Sequence, residues 1–194
     1  MVGETVNPDR NTHFGFNDIS GSLREVEVPC SCYLIFCYCL QDWLEKFVSE
    51  FAHSGSCQPN QISFSVQPQD IEVHSDPSLL HQVVWNLCQN AVHHAAEDPA
   101  TLRIRLVGKR LASSERPCLD IIDNGAGIDP ELAEEIFEPF FTTKSSGTGL
   151  GLYIAREICE SNQSHLEYIP VPEGGSCFRI TFTSKETVSV ATYA

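Results

Sequence analysis

The sequence predicts an α/β (α+β) two-layer sandwich, a mixed sheet of about five strands with helices on one face. Segments alternating at period two, such as residues 61–66, 101–106 and 177–182, are interleaved with segments whose apolar residues recur every three to four positions, such as 40–51 and 76–97. Two glycine clusters, Asp123-Asn-Gly-Ala-Gly-Ile-Asp129 and Gly147-Thr-Gly-Leu-Gly-Leu152, stand where a strand pattern ends and a helix pattern begins. A chain of 194 residues, 42% of them hydrophobic, suffices for one well-buried domain with an appendage.

Residues 1–27 are rich in Gly, Asn, Asp, Ser and Pro without periodicity and read as loop or disordered. Over 40–51, Leu40, Leu44, Phe47 and Phe51 fall on one helical stripe, which places a domain boundary near residue 40. Residues 61–66 and 70–74, separated by Gln67-Pro-Gln69, predict a hairpin at one edge of the sheet. Asp76 as N-cap and Pro77 at the first helical position start a helix that runs to about Glu97, before Pro99. Its apolar stripe comprises Leu80, Val83, Val84, Leu87, Ala91 and Ala95.

Strands follow at 101–106 and 118–123 with a polar loop between them, then a short helix over 130–136. Phe137, Phe140 and Phe141 are too apolar to stay exposed, as a core plug or as part of a site. From 150 the pattern is helical, with Leu150, Ile154 and Ile158 on one face and Arg156, Glu157 and Glu160 elsewhere. Strands at 165–169 and 177–182 close the sheet, and the last ten residues read as a frayed tail.

Leu119, Ile121 and Asp123 share one strand parity, so Asp123 points to the covered face. A carboxylate there needs a hydrogen-bond donor, and a ligand amine is one that could serve. An Asp-Asn-Gly run also ends a strand in a turn, and the residues alone leave both readings open. Glycine permits positive φ and close backbone approach, so Gly125, Gly127, Gly147, Gly149 and Gly151 suggest a surface built around a guest. Those of the second cluster sit where unpaired backbone N–H groups favour an anion such as phosphate. Asn86 and Asn90 stack on one helix face with His93 and His94 a turn further, either as a solvated polar face or as ligands.

Asp123-Asn-Gly-Ala-Gly, Phe137-Glu-Pro-Phe-Phe and Gly147-Thr-Gly-Leu-Gly resemble the G1, F and G2 boxes of sensor histidine kinases, whose ATP-binding domain has the Bergerat fold shared with gyrase, Hsp90 and MutL. Glu157-Ile-Cys-Glu-Ser-Asn-Gln163 and Gly174-Gly-Ser-Cys-Phe-Arg-Ile-Thr-Phe182 are similar to type IV pilus sensor kinases of proteobacteria. The likeness covers roughly 40–184. It implies that Asn86-Leu-Cys-Gln-Asn90 is the N box, Asn90 holding Mg²⁺ through its amide oxygen and Asn86 contacting the phosphates or the same ion. It further implies ATP contacts from His93, His94, Asp123, Gly125, Gly127, Ile128, Phe137, Phe141, Thr143 and Lys144, and from Gly147, Thr148, Gly149, Leu150, Gly151 and Leu152. Residues 137–144 correspond to a mobile ATP lid. In the gyrase, Hsp90 and MutL branch the residue equivalent to Asn86 is a Glu that activates water. An amide cannot act as a general base at neutral pH, so the implied chemistry is phosphoryl transfer.

A net charge of −14 argues against nucleic acid as partner. The longest apolar run, about 28–40, is too short to cross a bilayer and begins too late for a secretory signal. Cys57, Cys88, Cys118, Cys159 and Cys177 read as buried thiols of a cytosolic protein, while Cys30, Cys32, Cys37 and Cys39 lack the usual zinc-site spacing.

None of the seven histidines lies in the His-Glu-x-x-x-Pro type of motif that accepts phosphate in the resembled family. The expectation is therefore an ATP-binding module of residues 40–184, with an atypical segment at 1–39, truncated or displaced over 28–39, and a tail at 185–194. Its partners would be a dimerisation helix pair carrying the acceptor histidine and then a response regulator, with the isolated module a monomer. The alternatives are an ATP-hydrolysing member of the same fold, or a nucleotide-binding module without chemistry.

Overall fold

The computed structural model describes residues 24–25, 36–94, 99–142, 147–172 and 174–183, the first pair as backbone. In chain order these form β1 (Arg24–Glu25), β2 (Phe36–Cys39), α1 (Leu40–His53), β3 (Ile62–Gln67), β4 (Glu72–Ser75), α2 (Pro77–His93), β5 (Ile104–Arg110), β6 (Pro117–Asp123), α3 (Gly151–Ser161), β7 (Ser164–Ile169) and β8 (Ser176–Phe182). The segment between β6 and α3 contains two 3-10 turns, Pro130–Leu132 and Glu135–Phe137.

Five strands form the main sheet in the order β3-β5-β6-β8-β7. Only β3 and β5 run parallel, so the sheet is mixed, as the sequence predicts. The register aligns its inward residues in rows: Phe64, Leu106, Ile121, Phe178 and Tyr168 make one, Val66, Gly108, Leu119, Ile180 and Leu166 the next. Apolar side chains at every second position of each strand, all on one face, require a second layer. The three helices supply it with Leu40, Leu44, Phe47 and Phe51 of α1, Leu80, Val83, Val84 and Leu87 of α2, and Ala155 and Cys159 of α3. Gly108 makes room for that layer, because a Cβ there would lie 2.9 Å from Leu40 Cδ2.

Asp76 caps α2 by accepting hydrogen bonds from the Ser78 and Leu79 amides at 2.7 and 3.3 Å, with Pro77 at the first position. The helix ends at His93, four residues before the expected Glu97, and the Ala95 of the expected stripe lies outside the described residues. Cys30, Cys32, Thr143, Lys144, most of residues 1–27 and the 185–194 tail also lie outside them.

The hairpin expected from 61–66 and 70–74 does not form. β3 joins the main sheet beside β5, whereas β4 pairs antiparallel with β2 in a separate sheet of order β1-β2-β4. Alternation identified both segments as strands but carries no information on the partner. β2 itself lies ahead of the boundary drawn at residue 40. Its Tyr38 is buried with its hydroxyl 2.6 Å from Ser75 Oγ, and it runs without a break into α1.

Two apolar assignments also change. In α3 the buried residues are Ala155 and Cys159, while Ile154 is 41% exposed. Gly151, Ala155 and Cys159 recur at helical spacing as a narrow stripe, which lets α3 pack closely while the larger Leu150, Ile154 and Ile158 border a groove beside α2. Phe140 is 74% exposed rather than plugging the core; that place belongs to Phe137, edge-on to Phe178 with centroids 6.3 Å apart and the Arg156 guanidinium over its ring. The buried-thiol reading fits Cys88, Cys118, Cys159 and Cys177 but not Cys57, which is only half-buried, and burial pushes the Cys159 and Cys177 thiols up to about 11.

Candidate functional site

Three pieces of chain meet around a cavity of about 810 Å³: the C-terminal half of α2, the glycine turn after β6, and the entry to α3. That size suits a cofactor-sized guest.

Asp123 ends β6 on the inward face, in a row with Ile62, Ile104 and Ser176. Strand parity leaves the carboxylate facing the helix layer, 9% exposed, at the cavity wall. Its Oδ1 accepts from the Gly125 amide at 2.8 Å, and Ser176 donates through both its amide and its hydroxyl. Burial pushes the carboxyl above its usual range, with the bonds from Gly125 and Ser176 and the nearby His94 working in the opposite direction. Asn124 anchors the turn from the other side. Its Oδ1 accepts from the Arg103 amide at 2.7 Å and its Nδ2 donates to the Thr101 carbonyl at 2.9 Å. These bonds hold Thr101–Arg103 outside the strand, so β5 begins at Ile104 rather than at the expected Thr101.

The glycine turn is tight. Gly127 has φ +79°, and at Gly125 a Cβ would stand 2.8 Å from the His94 carbonyl oxygen. On the far side, Gly149 has φ +66° and abuts the Phe140 backbone so closely that no Cβ fits, and the Phe140 amide donates to the Gly149 carbonyl at 2.9 Å. Gly151 opens α3 behind Leu150, which supplies no side-chain cap, so the amides of the first turn are open to another acceptor at the cavity edge.

From α2, Asn86, Asn90 and His93 line the cavity, joined by His94 just past the helix end. Asn86 Nδ2 donates to the Gly151 carbonyl at 2.6 Å, tying α2 to the start of α3. Asn86, Gln89, Thr148 and Gly151 also border a second, shallower cavity of about 420 Å³, walled on its outer side by Trp85, Leu150, Ile154 and Ile158.

Of the other residues singled out from sequence, Asp123, Gly127, Ile128, Phe141, Gly147, Thr148, Gly149, Gly151 and Leu152 line the main cavity. Three do not. Gly125 sits behind the Asp123 carboxylate, Phe137 is in the core, and Leu150 faces the neighbouring groove. Sequence reasoning missed Ser176, Gln89, Asp129, Leu132, Ile136 and Phe178. Ser176 was findable, because it begins the strand that pairs with β6 and lies opposite Asp123. Among the described lining residues there is no Lys or Arg; His93 and His94 are the basic ones.

Residues 75–186 match the family of histidine kinase-, DNA gyrase B-, and HSP90-like ATPases. The chain is 41% identical over 150 residues, 77% of its length, to the sensor protein kinase PilS of Pseudomonas aeruginosa. It is 38% identical over 108 residues, 56% of its length, to the signal transduction histidine-protein kinase AtoS of Escherichia coli strain K12. It spans 28% of the first relative and 17% of the second. Among solved structures, the catalytic domain of the histidine kinase ThkA superposes with a TM-score of 0.62 at 26% identity, covering 76% of this chain and 94% of that one. The mixed five-stranded sheet with its helices on one face is the architecture of these neighbours, and the chain belongs to the histidine kinase-, DNA gyrase B-, and HSP90-like ATPase family, within which it resembles the ATP-binding catalytic domains of sensor histidine kinases.

Proposed function

We propose that this chain is the phosphoryl-donor half of a two-component sensor kinase: it binds ATP with Mg²⁺ and serves a histidine carried on a separate dimerisation helix pair, from which a response regulator is then charged. The observation that carries the reading is the convergence of the Asp123 turn, the Asn86–Asn90 face of α2 and the glycine-rich start of α3 on one cavity.

The residues present fit the ligand. Asp123, desolvated and with acceptor capacity beyond its bonds to Gly125 and Ser176, suits the exocyclic amine of adenine. The backbone of Gly147, Thr148, Gly149, Gly151 and Leu152 suits phosphate oxygens. The phosphates form a polyanion whose charge needs to be met. A divalent cation held by the Asn90 amide oxygen meets it, with His93 and His94 alongside. ATP would supply the phosphoryl group; the protein's part is to hold and orient it and to exclude water. With an amide at Asn86, no general base for hydrolysis stands at that position.

The proposed unit runs from β2 through β8, extending the 40–184 expectation to Phe36. It acts in the cytoplasm as a monomer docking on its helix pair. No described helix is long and apolar enough to cross a membrane.

Calorimetric titration of a non-hydrolysable ATP analogue, with and without Mg²⁺, tests the site. Binding strengthened by Mg²⁺, weakened in Asp123→Asn and made insensitive to Mg²⁺ in Asn90→Ala is the expected result. No binding to the folded wild-type protein would refute the reading. Transfer of label from ATP to an added dimerisation domain of a relative then tests the donor role, and hydrolysis without transfer would replace it with an ATPase.

A further inference from the structure

We propose that Asn86 is a positioning residue: it sets where α3 begins, and it acts on a bound nucleotide through Gly151 rather than by touching it. The inference rests on the ATP-site reading above.

The Asn86–Gly151 contact joins residues 65 positions apart, and its polarity is fixed. A carbonyl oxygen only accepts, so the group 2.6 Å from it is the amide nitrogen, and the donor end of Asn86 is committed to the protein. Gly151 shows why the contact can form. Unlike Gly127 and Gly149, Gly151 does not have the left-handed backbone that would itself call for glycine. It is the first residue of an ordinary α-helix, where alanine would be the better helix former. What a side chain there would press on is Asn86. A Cβ on residue 151 would lie 3.2 Å from Asn86 Oδ1 and 3.4 Å from Nδ2, so the amide lies against the bare Cα. The last glycine of the Gly147-Thr-Gly-Leu-Gly cluster therefore accommodates a side chain of the same protein.

The consequence for a ligand follows from where α3 starts. Its N-cap, Leu150, makes no side-chain cap bond, so no side chain at the helix start holds the first-turn amides. Asn86 provides that restraint from α2. The pair also stands at the partition between the 810 Å³ cavity and the 420 Å³ groove, since both residues border each. Loosening the tie both disorders the phosphate-facing amides and opens the partition.

A binding cycle over wild type, Asn86→Ala, Gly151→Ala and the double variant tests this, using adenosine, ADP and the non-hydrolysable ATP analogue, the last with and without Mg²⁺. Asn86→Ala should weaken ADP and the analogue roughly tenfold, the scale of one neutral hydrogen bond, and leave adenosine unchanged. Gly151→Ala should show a comparable loss in the wild-type background and almost none on top of Asn86→Ala, because the space for its Cβ is then vacant. The gain in analogue affinity on adding Mg²⁺ should be the same in Asn86→Ala as in wild type. Asn86→Ser takes the place of Asn86→Ala in the cycle should the latter unfold. Additive losses, or a collapse of the Mg²⁺ effect in the Asn86 variant, would mean direct contact with phosphate or ion and overturn the inference alone. Failure of wild type to bind any of the three ligands would overturn the ATP-site reading, and this role with it.

Discussion

Asp120 and Arg179 face each other across β6 and β8 on the sheet surface turned away from the cavity. The guanidinium grips the carboxylate twice, Nε to Oδ1 at 2.6 Å and a terminal nitrogen to Oδ2 at 2.9 Å, and Lys109 Nζ closes on Oδ2 at 2.6 Å. Asp120 is 2% exposed, so both cations are needed to satisfy it. Burial alone would raise its pKa; the bonds from Arg179 and Lys109 outweigh that and hold it below the usual carboxylate range. A depressed folded pKa contributes stability that is present above the unfolded value, about 3.9, and is lost as pH falls through the folded one. Wild type should therefore lose stability progressively below about pH 4. Asp120→Asn should be less stable at pH 7 by about 2–4 kcal/mol and show a flatter acid limb, read from urea unfolding at a series of pH values.

Asp123, one turn of the pleat along the same strand face from Ile121, behaves oppositely. Burial raises its folded pKa above the unfolded one. Such a group contributes stability fully present below the unfolded value and lost as pH rises through the folded one, so at pH 7 its charge opposes folding. Asp123→Asn keeps an oxygen for the Gly125 amide and removes the charge. Relief of the charge is offset by turning an NH2 toward the Ser176 donors, so the variant's melting temperature at pH 7 should stay within about 3 °C of the wild-type value, while adenine nucleotide binding falls roughly 30- to 100-fold. A loss of binding accompanied by a large drop in melting temperature would sink this account, since the carboxylate would then be structural.

The contrast between these two aspartates shows what the sequence could convey. Strand parity placed Asp123 on the covered face, because period two is intrinsic to the backbone. The same parity put Asp120 on the other face, where an open sheet surface gives no cue to burial; its cover comes from Lys109 and Arg179, far apart in sequence. Partner choice was illegible for the same reason, and β3 and β4 were joined as a hairpin although they belong to different sheets. In α3 the large apolar residues dominated the pattern and hid the stripe of Gly151, Ala155 and Cys159 that packs. Most of the cavity lining was legible because its glycines and asparagines are poor choices for plain helix or strand.

Gly149 is the glycine whose conformation matters most at the neck of the segment between Phe140 and α3. Its φ of +66° carries about 1–2 kcal/mol of strain for any L side chain, and the adjoining Phe140 backbone leaves no space for a Cβ. Gly149→Ala should break the bond from the Phe140 amide to the Gly149 carbonyl and weaken the ATP analogue at least tenfold. The core lies elsewhere, so the melting temperature should drop by less than about 5 °C. Nucleotide titration and a thermal scan on the same sample separate the two effects.

Asn162 joins the end of α3 to the start of α2. Its Oδ1 accepts from the Asp76 amide at 2.6 Å, its Nδ2 donates to the Asp76 carbonyl at 3.2 Å, and the residue is 3% exposed. Asp76 meanwhile caps α2 with its own carboxylate, so one backbone position is held at three points. Removing the side-chain amide leaves the Asp76 N–H without its partner, at about 1–3 kcal/mol, while the Asp76 carbonyl keeps its bond from the Leu80 amide. Asn162→Ala should therefore lower stability by about 2 kcal/mol in urea unfolding without changing the slope of the transition. Asn162→Asp supplies the acceptor but not the donor and places a second carboxylate beside Asp76, so it should be at least as damaging. An Asp variant as stable as wild type would show that the Asp76 amide contact alone holds the two helices together.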